Sequence, residues 1–261
     1  SGIYRFPGGN FVSNHDWRDA IGDPDRRPPT WDYAWNVAQP NDVGTDELVQ
    51  LCRLLNVEPY ITVNAGYGEA RSAADLVEYC NGPVDSPMGA LRAANGHPEP
   101  YNVTWWGIGN EMYGAWQHGW MQMEHYIIKH NLFGKAMRAK DPTIRLIGSG
   151  ATPEEMTIAR LSQRTTGELV PEVGSPGDWT GNMLLHCADY IDVMSEHFYC
   201  YDGQRFDIEV ARTAPMGMWG GFVPSDETLL EWTRRPADRV RTKVEAYEDY
   251  IARLPGFRER V

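Results

Sequence analysis

Short apolar segments alternate with segments of helical periodicity along most of this 261-residue chain. This alternation is typical of a parallel β-sheet in which helices connect the strands. The predicted strands are residues 3–6, 58–63, 103–109, 144–149 and 190–198. The sequence therefore predicts an α/β fold.

Four of the connecting segments carry helix signals. The first predicted helix begins with Thr45 as its cap. The other three are predicted at Ser72–Asn81, at about Trp120–Lys140 and at about Ala237–Leu254. Helical spacing places apolar side chains on the inward faces. In chain order these are Leu48, Leu51, Cys52 and Leu55; Leu76, Val77 and Cys80; Met123, Tyr126, Ile127 and Met137; and Val240, Val244, Tyr247, Ile251 and Leu254.

The number of strands bears on the architecture. A closed (β/α)8 barrel typically needs roughly 250 residues and eight strands, so the length of the chain fits and five strands do not. Either the long connections at 7–44, 81–102 and 199–225 replace some units, or the chain is the central part of a longer barrel. We favour the second interpretation, because the chain starts two residues before a strand and ends after a helix. Residues 1–261 are accordingly predicted to form one partial barrel domain, without a second domain.

Composition and motifs exclude several classes of partner. Acidic residues outnumber basic ones by 36 to 24, and the net charge of −12 disfavours nucleic acid. No run of eighteen apolar residues occurs, so no membrane span is predicted. Residues 1–10 lack the pattern of a signal peptide. Because the chain begins next to a predicted strand, its true start and its localisation stay open. The four cysteines lack CxxC spacing and are expected in the core.

Chemistry in such a barrel is expected where strands end at their carboxyl side. Glu111 follows the apolar strand at 103–109, and a carboxyl group withdrawn from water keeps its proton as a general acid must. A carboxylate at a helix N-terminus is the structural alternative. The neighbouring Asn110 has an amide suited to a sugar hydroxyl, although a turn Asn would fit as well. His197 and Tyr199 share one face of their strand, whereas Glu196 is expected to pair with a base on a covering helix.

Aromatic residues make up 11% of the chain and several fall in the predicted rim loops. Their flat faces can stack on the apolar face of a sugar ring, although about half are expected to be ordinary packing. The rim aromatics are Trp17, Trp31, Tyr33, Trp35, Tyr67, Tyr113, Trp116 and Trp120. GxGxxG, GxxxxGK[ST] and GxSxG motifs are missing, which disfavours nucleotide and acyl-hydrolase sites, and HExxH is missing too. A carbohydrate site is therefore favoured, with a metal enzyme as the residual alternative.

Three separated motifs resemble the α-L-arabinofuranosidases of glycoside hydrolase family 51: RFPGGNFVSNHDW at 5–17, ANGHPEPYNVTWWGIGNEMYG at 94–114 and YIDVMSEHFY at 190–199. The resemblance implies a (β/α)8 catalytic barrel with its glutamates after strands four and seven, of which this chain supplies strands two to six. It implies that Glu111 is the general acid/base and that Asn110 binds the hydroxyl next to the reacting carbon. Asn10 resembles a ligand of the sugar in subsite −1, and Trp17 an aromatic wall.

The resemblance also implies that Tyr199 hydrogen-bonds the nucleophile, with His197 beside it. The nucleophilic glutamate itself has no counterpart here. The glutamates after Tyr199 are Glu209, Glu227, Glu231, Glu245, Glu248 and Glu259, and none ends an apolar strand. The nucleophile is therefore expected beyond Val261, and residues 1–261 alone are expected to be inactive.

The function implied is that of a retaining, exo-acting α-L-arabinofuranosidase on arabinose-containing plant oligo- or polysaccharides, with no cofactor, nucleic acid or membrane involved. A homo-oligomer stays open. Two alternatives remain at this point: an endo-β-1,4-glucanase or xylanase of the same clan, and a catalytically inactive carbohydrate-binding barrel.

Overall fold

The computed structural model describes residues 2–162, 171–201, 203–214, 217–254 and 256. The chain divides into two compact units. The first unit comprises Ser1–Met112, Trp116–Ser149 and Cys187–Met194, and the second Tyr113–Ala115, Gly150–His186 and Ser195–Val261. Each is described by itself below.

The first unit contains a five-stranded sheet. Its strands are β1 (Ile3–Phe6), β4 (Glu58–Val63), β5 (Trp105–Ile108), β6 (Arg145–Ser149) and β7 (Val193–Ser195, whose last residue belongs to the second unit), and they neighbour one another in that order. The pairs β1–β4, β4–β5 and β5–β6 are parallel. Among the described residues the sheet runs from edge to edge without closing. The predicted α/β class is confirmed.

The fifth strand is much shorter than the predicted 190–198. Residues Ala188–Tyr190 form a 3-10 turn, and Asp192 accepts a hydrogen bond from Leu146 N through its carboxylate while it pairs with Arg138 and Arg145. Asp192 thus lies within the predicted strand, but its carboxylate and not a backbone carbonyl accepts the hydrogen bond from Leu146 N. Only Val193–Ser195 pair as a strand.

The hairpin and the α-helices of the first unit lie between these strands in the sequence. They are the antiparallel hairpin β2 (Thr30–Asp32) and β3 (Val37–Gln39), and the helices α1 (Thr45–Leu55), α2 (Ala70–Asn81), α3 (Pro87–Ala94) and α4 (Met123–Lys140). Helix α3 falls in the predicted connection 81–102, although Ser86-Pro87 is a helix-start signal: Ser86 Oγ accepts from Gly89 N at 3.1 Å.

The starts of α1 and α2 differ from the prediction. Thr45 is the first helical residue of α1, and its cap is Gly44, whose N–H donates to the Glu47 carboxylate at 2.8 Å. A Cβ at Gly44 would lie 1.7 Å from Ala20 O, so a side chain cannot fit there. Helix α2 begins at Ala70, so Ser72 lies inside it. Its hydroxyl does not cap the helix but accepts hydrogen bonds from the side chains of Trp17 and Arg18.

The predicted inward faces are only partly correct. Leu48 and Cys52 of α1 are buried, whereas Leu51 and Leu55 are exposed. In α4, which begins at Met123 and not at Trp120, Tyr126 and Met137 are buried, and Met123 and Ile127 are partly exposed. Three cysteines, Cys52, Cys80 and Cys187, lie in the core, and Cys200 is partly exposed.

The second unit contains the helices α5 (Pro153–Ser162), α6 (Trp179–His186), α7 (Ile208–Thr213) and α8 (Leu229–Arg253), and the antiparallel strands β8 (Gln204–Phe206) and β9 (Phe222–Pro224). Helix α8 begins eight residues before the predicted start, with Thr228 and Glu231 in a capping box. Its predicted inward residues Val240 and Val244 are exposed. The buried side chains are Lys243 and Tyr250, because this face meets polar partners: Tyr250 OH donates to Asp178 at 2.8 Å. No helix in the described part of the chain has both the length and the apolar character that a membrane crossing needs.

Candidate active site

Asn110 and Glu111 lie directly after β5, where the backbone turns sharply. Gly109 has φ +75°, and a Cβ there would come within 3.0 Å of both Met112 and Ala65. Glu111 also lies in the left-handed region, with φ 47°, which costs a non-glycine residue roughly 1–3 kcal/mol. Asn110 is 2% and Glu111 7% exposed. The surroundings therefore hold both side chains in a fixed, nearly buried position.

A chain of hydrogen bonds connects Asn110 to the ends of two other strands. Arg5 of β1 donates through Nη2 to Asn110 Oδ1 at 2.6 Å and through Nε to Thr62 Oγ1 of β4 at 3.0 Å. The Nδ2 group of Asn110 donates to Asn10 Oδ1 at 2.7 Å. Asn10 itself lies in the 3-10 helix Gly9–Asn14 that follows β1. The two predicted sugar-binding amides are thus in contact. Because Arg5 donates to Oδ1 of Asn110, the amide is oriented with its Nδ2 group toward Asn10.

The Glu111 carboxylate and its backbone are held by residues of the same loop. Trp116 Nε1 donates to Glu111 Oε2 at 2.7 Å. Gln117 donates its side-chain amide to the carbonyls of Asn110 and Glu111, and accepts from Ser13 Oγ at 3.0 Å. These contacts stabilise the left-handed backbone that aims the carboxyl group. Sequence reasoning missed Gln117; its position between rim aromatics was the available signal.

Trp17 is 5% exposed, so most of its ring belongs to the core. Its Nε1 donates to Ser72 O at 3.1 Å, and the Arg18 guanidinium lies over the ring at 4.5 Å. The remaining edge of Trp17 borders a cavity of about 380 Å³ at the carboxyl ends of β1 and β4. The lining also includes His15, Asn64 and Tyr67, but neither Asn10 nor Glu111. Burial lowers the pKa of His15 to about 4, so its ring is uncharged at neutral pH.

The other predicted site residues lie in the second unit. His197 Nε2 and Ser195 Oγ are 3.1 Å apart, and Tyr199 is 67% exposed and stacks on Tyr201 with ring centroids 6.0 Å apart. Glu196 accepts hydrogen bonds from Thr152 N, Thr180 Oγ1 and Tyr247 OH, at 3.0, 2.6 and 2.9 Å. Burial raises the pKa of the Glu196 carboxyl, while these donors and Lys243 oppose the rise. Its partners on α8 give Glu196 a structural role.

Comparison with known proteins identifies the family. The family model described as the alpha-L-arabinofuranosidase 1 domain matches residues 1–204. The chain belongs to the α-L-arabinofuranosidase family. Because it is a family member by sequence and its five parallel strands match enzymes of glycoside hydrolase family 51, the expected partial barrel is confirmed.

Several members of the α-L-arabinofuranosidase family illustrate the match. The intracellular exo-α-(1→5)-L-arabinofuranosidase of Halalkalibacterium halodurans is 35% identical over 197 residues, which cover 76% of this chain and 36% of that protein. A probable α-L-arabinofuranosidase C of Aspergillus terreus is 41% identical over 246 residues, 93% of this chain and 46% of that protein. The solved structure of the family 51 enzyme from Thermotoga petrophila superimposes with a TM-score of 0.64 at 41% identity, covering 76% of this chain and 36% of that one. The chain therefore spans less than half the length of these arabinofuranosidases.

The glutamates that follow Tyr199 can be placed except Glu259, which lies outside the described residues. Glu209 is in the first turn of α7, Glu231, Glu245 and Glu248 are on α8, and Glu227 pairs with Arg235 at 2.5 Å. Among the described residues none of them ends a strand of the parallel sheet. Within the same part of the chain, no group of three His, Cys, Asp or Glu side chains could hold a metal ion.

Proposed function

We propose that the protein is a retaining α-L-arabinofuranosidase that releases arabinose from the non-reducing ends of arabinose-containing plant oligo- or polysaccharides. The observation that carries the proposal is the Glu111 carboxyl group, nearly buried after β5, held by Trp116, and adjacent in sequence to the Arg5–Asn110–Asn10 chain. Family membership supports it. Neither a metal nor a cofactor is needed for this chemistry.

In the proposed mechanism Glu111 acts twice. It first protonates the leaving oxygen while a second carboxylate, roughly 5–5.5 Å from it in retaining enzymes, attacks the anomeric carbon. It then takes a proton from the water that releases arabinose. We propose that the attacking glutamate lies outside residues 1–261. Tyr199 is proposed to hydrogen-bond that glutamate, with His197 beside it.

The proposed sugar ligands are the amides Asn110 and Asn10, with Trp17 at the edge of the site. The Arg5–Asn110 hydrogen bond supports this role, because an amide fixed in advance loses little freedom when a hydroxyl binds. A hydrogen bond to the hydroxyl next to the anomeric carbon strengthens as charge develops in the transition state.

A hydrolysis screen of the full-length protein tests the proposal. We expect turnover of 4-nitrophenyl α-L-arabinofuranoside and release of arabinose from arabinan. Because configuration is retained, proton NMR should show the α-anomer of arabinose as the first product, before any β-anomer. Internal cleavage of β-glucan or xylan, with rapid loss of viscosity, would instead establish the endo-acting alternative. Binding without any hydrolysis would establish an inactive carbohydrate-binding barrel.

Substitution of the two amides tests their role as sugar ligands. Asn110→Ala and Asn10→Ala should each weaken transition-state binding by about 1–3 kcal/mol, because the sugar hydroxyl is left without its partner. This corresponds to a loss in kcat/KM of roughly 5- to 150-fold. Since the two amides are in contact, the double variant should lose less than the product of the single losses. Unchanged kinetics in both single variants would assign the amides to a purely structural role.

A further inference from the structure

Three aromatic side chains on three different loops of the first unit form one exposed cluster, which we call the aromatic platform: Tyr33, Tyr67 and His118. The His118 ring lies between the two tyrosines, with centroid distances of 5.0 Å to Tyr33 and 6.1 Å to Tyr67. Tyr67 OH and His118 Nδ1 are 3.1 Å apart, within hydrogen-bond distance. The tyrosines are nevertheless 57% and 62% exposed. Ring faces of this size held together at the surface are a feature that core packing does not explain.

The loop that carries Tyr67 is held from three sides. Tyr67 N donates to Ser13 O at 3.0 Å, and Gly68 N donates to Asn64 Oδ1 at 3.1 Å. Lys129 reaches from α4 to donate to Gly66 O at 2.6 Å, and burial lowers the pKa of this lysine. The Tyr67 ring is therefore presented by a backbone that is already fixed.

The loops of Tyr33 and His118 are fixed in the same way. In the β2–β3 hairpin the buried Asp32 carboxylate accepts from Ala34 N at 2.9 Å and from Trp35 N at 3.1 Å. Next to His118, Gly119 has φ +74°, and a Cβ there would lie 2.6 Å from Gly66 Cα. The loop that carries His118 therefore packs directly against the loop that carries Tyr67, with no room for a side chain at Gly119.

The platform is also connected to the proposed acid. Gln117 holds the carbonyls of Asn110 and Glu111, and His118 is the next residue. The ring of His118 and the carboxyl group of Glu111 are thus carried by one loop that is anchored at Gln117. A ligand that bridges the platform and the acid would meet two sites whose relative position is set by the fold.

We propose that the aromatic platform binds a sugar unit of a neutral polysaccharide on the leaving-group side of the bond that is cleaved. This rests on the proposed function: an arabinose removed from a non-reducing end fills the pocket of Asn10 and Asn110, so every other sugar of the polymer lies on the leaving-group side. Tyrosine rings offer a flat apolar face to the C–H face of a sugar at low entropic cost. The net charge of −12 disfavours a uronate-rich chain as the ligand.

Affinity electrophoresis of the full-length protein tests the binding without relying on turnover. Glu111→Gln serves as the parent, and the gels contain soluble arabinan, arabinoxylan or polygalacturonate. Tyr67→Ala and His118→Ala should each weaken the retardation by arabinan or arabinoxylan about three- to tenfold. Tyr67→Phe keeps the ring and should retain most of the binding. Tyr4→Ala, which removes a 45% exposed aromatic ring from β1, is the matched control and should change nothing.

The kinetic counterpart uses the protein with Glu111 intact. Tyr67→Ala should lower kcat/KM on arabinan or arabinoxylan by a similar factor and leave 4-nitrophenyl α-L-arabinofuranoside nearly unaffected, because this substrate carries no sugar on the leaving-group side. Unchanged retardation in both alanine variants, or retardation by polygalacturonate alone, would overturn the platform while the proposed function stands. Absence of all arabinofuranosidase activity in the protein with Glu111 intact would overturn the proposed function, and the electrophoresis would still decide whether the platform binds a neutral glycan.

Discussion

Glu111→Ala is expected to lower kcat/KM on natural arabinofuranosyl linkages by roughly 10²- to 10⁴-fold, the usual contribution of a general acid. An activated 4-nitrophenyl glycoside should lose far less in its first step, because a good leaving group departs without a proton. Its second step still needs a base, so the glycosyl-enzyme should accumulate. Stopped-flow release of 4-nitrophenol should then show a burst followed by a slow steady state.

The control for this experiment is Glu124→Ala, which removes an exposed carboxylate from the first turn of α4 in the same unit. Its kinetics should match those of the unchanged protein on both substrates. If Glu111→Ala loses the same factor on natural and activated substrates, with no burst, Glu111 is either the nucleophile or a structural carboxylate.

The sequence singled out Glu111 as the proposed acid because strand ends are easy to recognise, but it could not supply the geometry around that carboxyl group. The left-handed backbone of Glu111 depends on Gln117, and Gln117 depends on Ser13 Oγ, which lies 104 residues away in the chain. Contacts of that range leave no periodic pattern. The Arg5–Asn110 bond is of the same kind, because it depends on the register of β1, β4 and β5.

Aromatic residues show a different limit. Composition placed Trp17 and Tyr67 in the same set of rim aromatics, and the structure separates them: Trp17 is 5% and Tyr67 62% exposed. The difference arises because the Trp17 indole finds a hydrogen-bond acceptor at Ser72 inside the unit, while Tyr67 is carried outward by a braced loop. On α8 the same kind of error affected Val240 and Val244, since the buried face of that helix is polar and hydrophobic spacing cannot reveal it.

Arg92 is the residue whose importance the sequence concealed most completely, because it lies in α3, a helix that pattern analysis missed. Its side chain is fully buried and donates to four carbonyl groups. The acceptors are Tyr79 O at 2.6 Å, Gly82 O at 2.9 Å, His97 O at 2.9 Å and Pro98 O at 3.0 Å. The first two terminate α2, and the other two belong to the segment that leads into β5. One guanidinium group therefore links the end of α2 to the segment that leads into β5, the strand that precedes Glu111.

Arg92→Met should lower the free energy of unfolding by about 3–5 kcal/mol, because four carbonyls lose their donor while the aliphatic stem is largely kept. Arg92→Lys should be nearly as damaging, since one ammonium group cannot reach acceptors that lie on both sides of a planar fork. Arg71→Met, which replaces an exposed arginine on α2, is the matched control and should change the unfolding free energy in urea titrations by less than about 0.5 kcal/mol. A loss below about 1 kcal/mol in both Arg92 variants would mean that water replaces the guanidinium, in which case the segment before β5, and with it Glu111, is positioned by the β5 ladder alone.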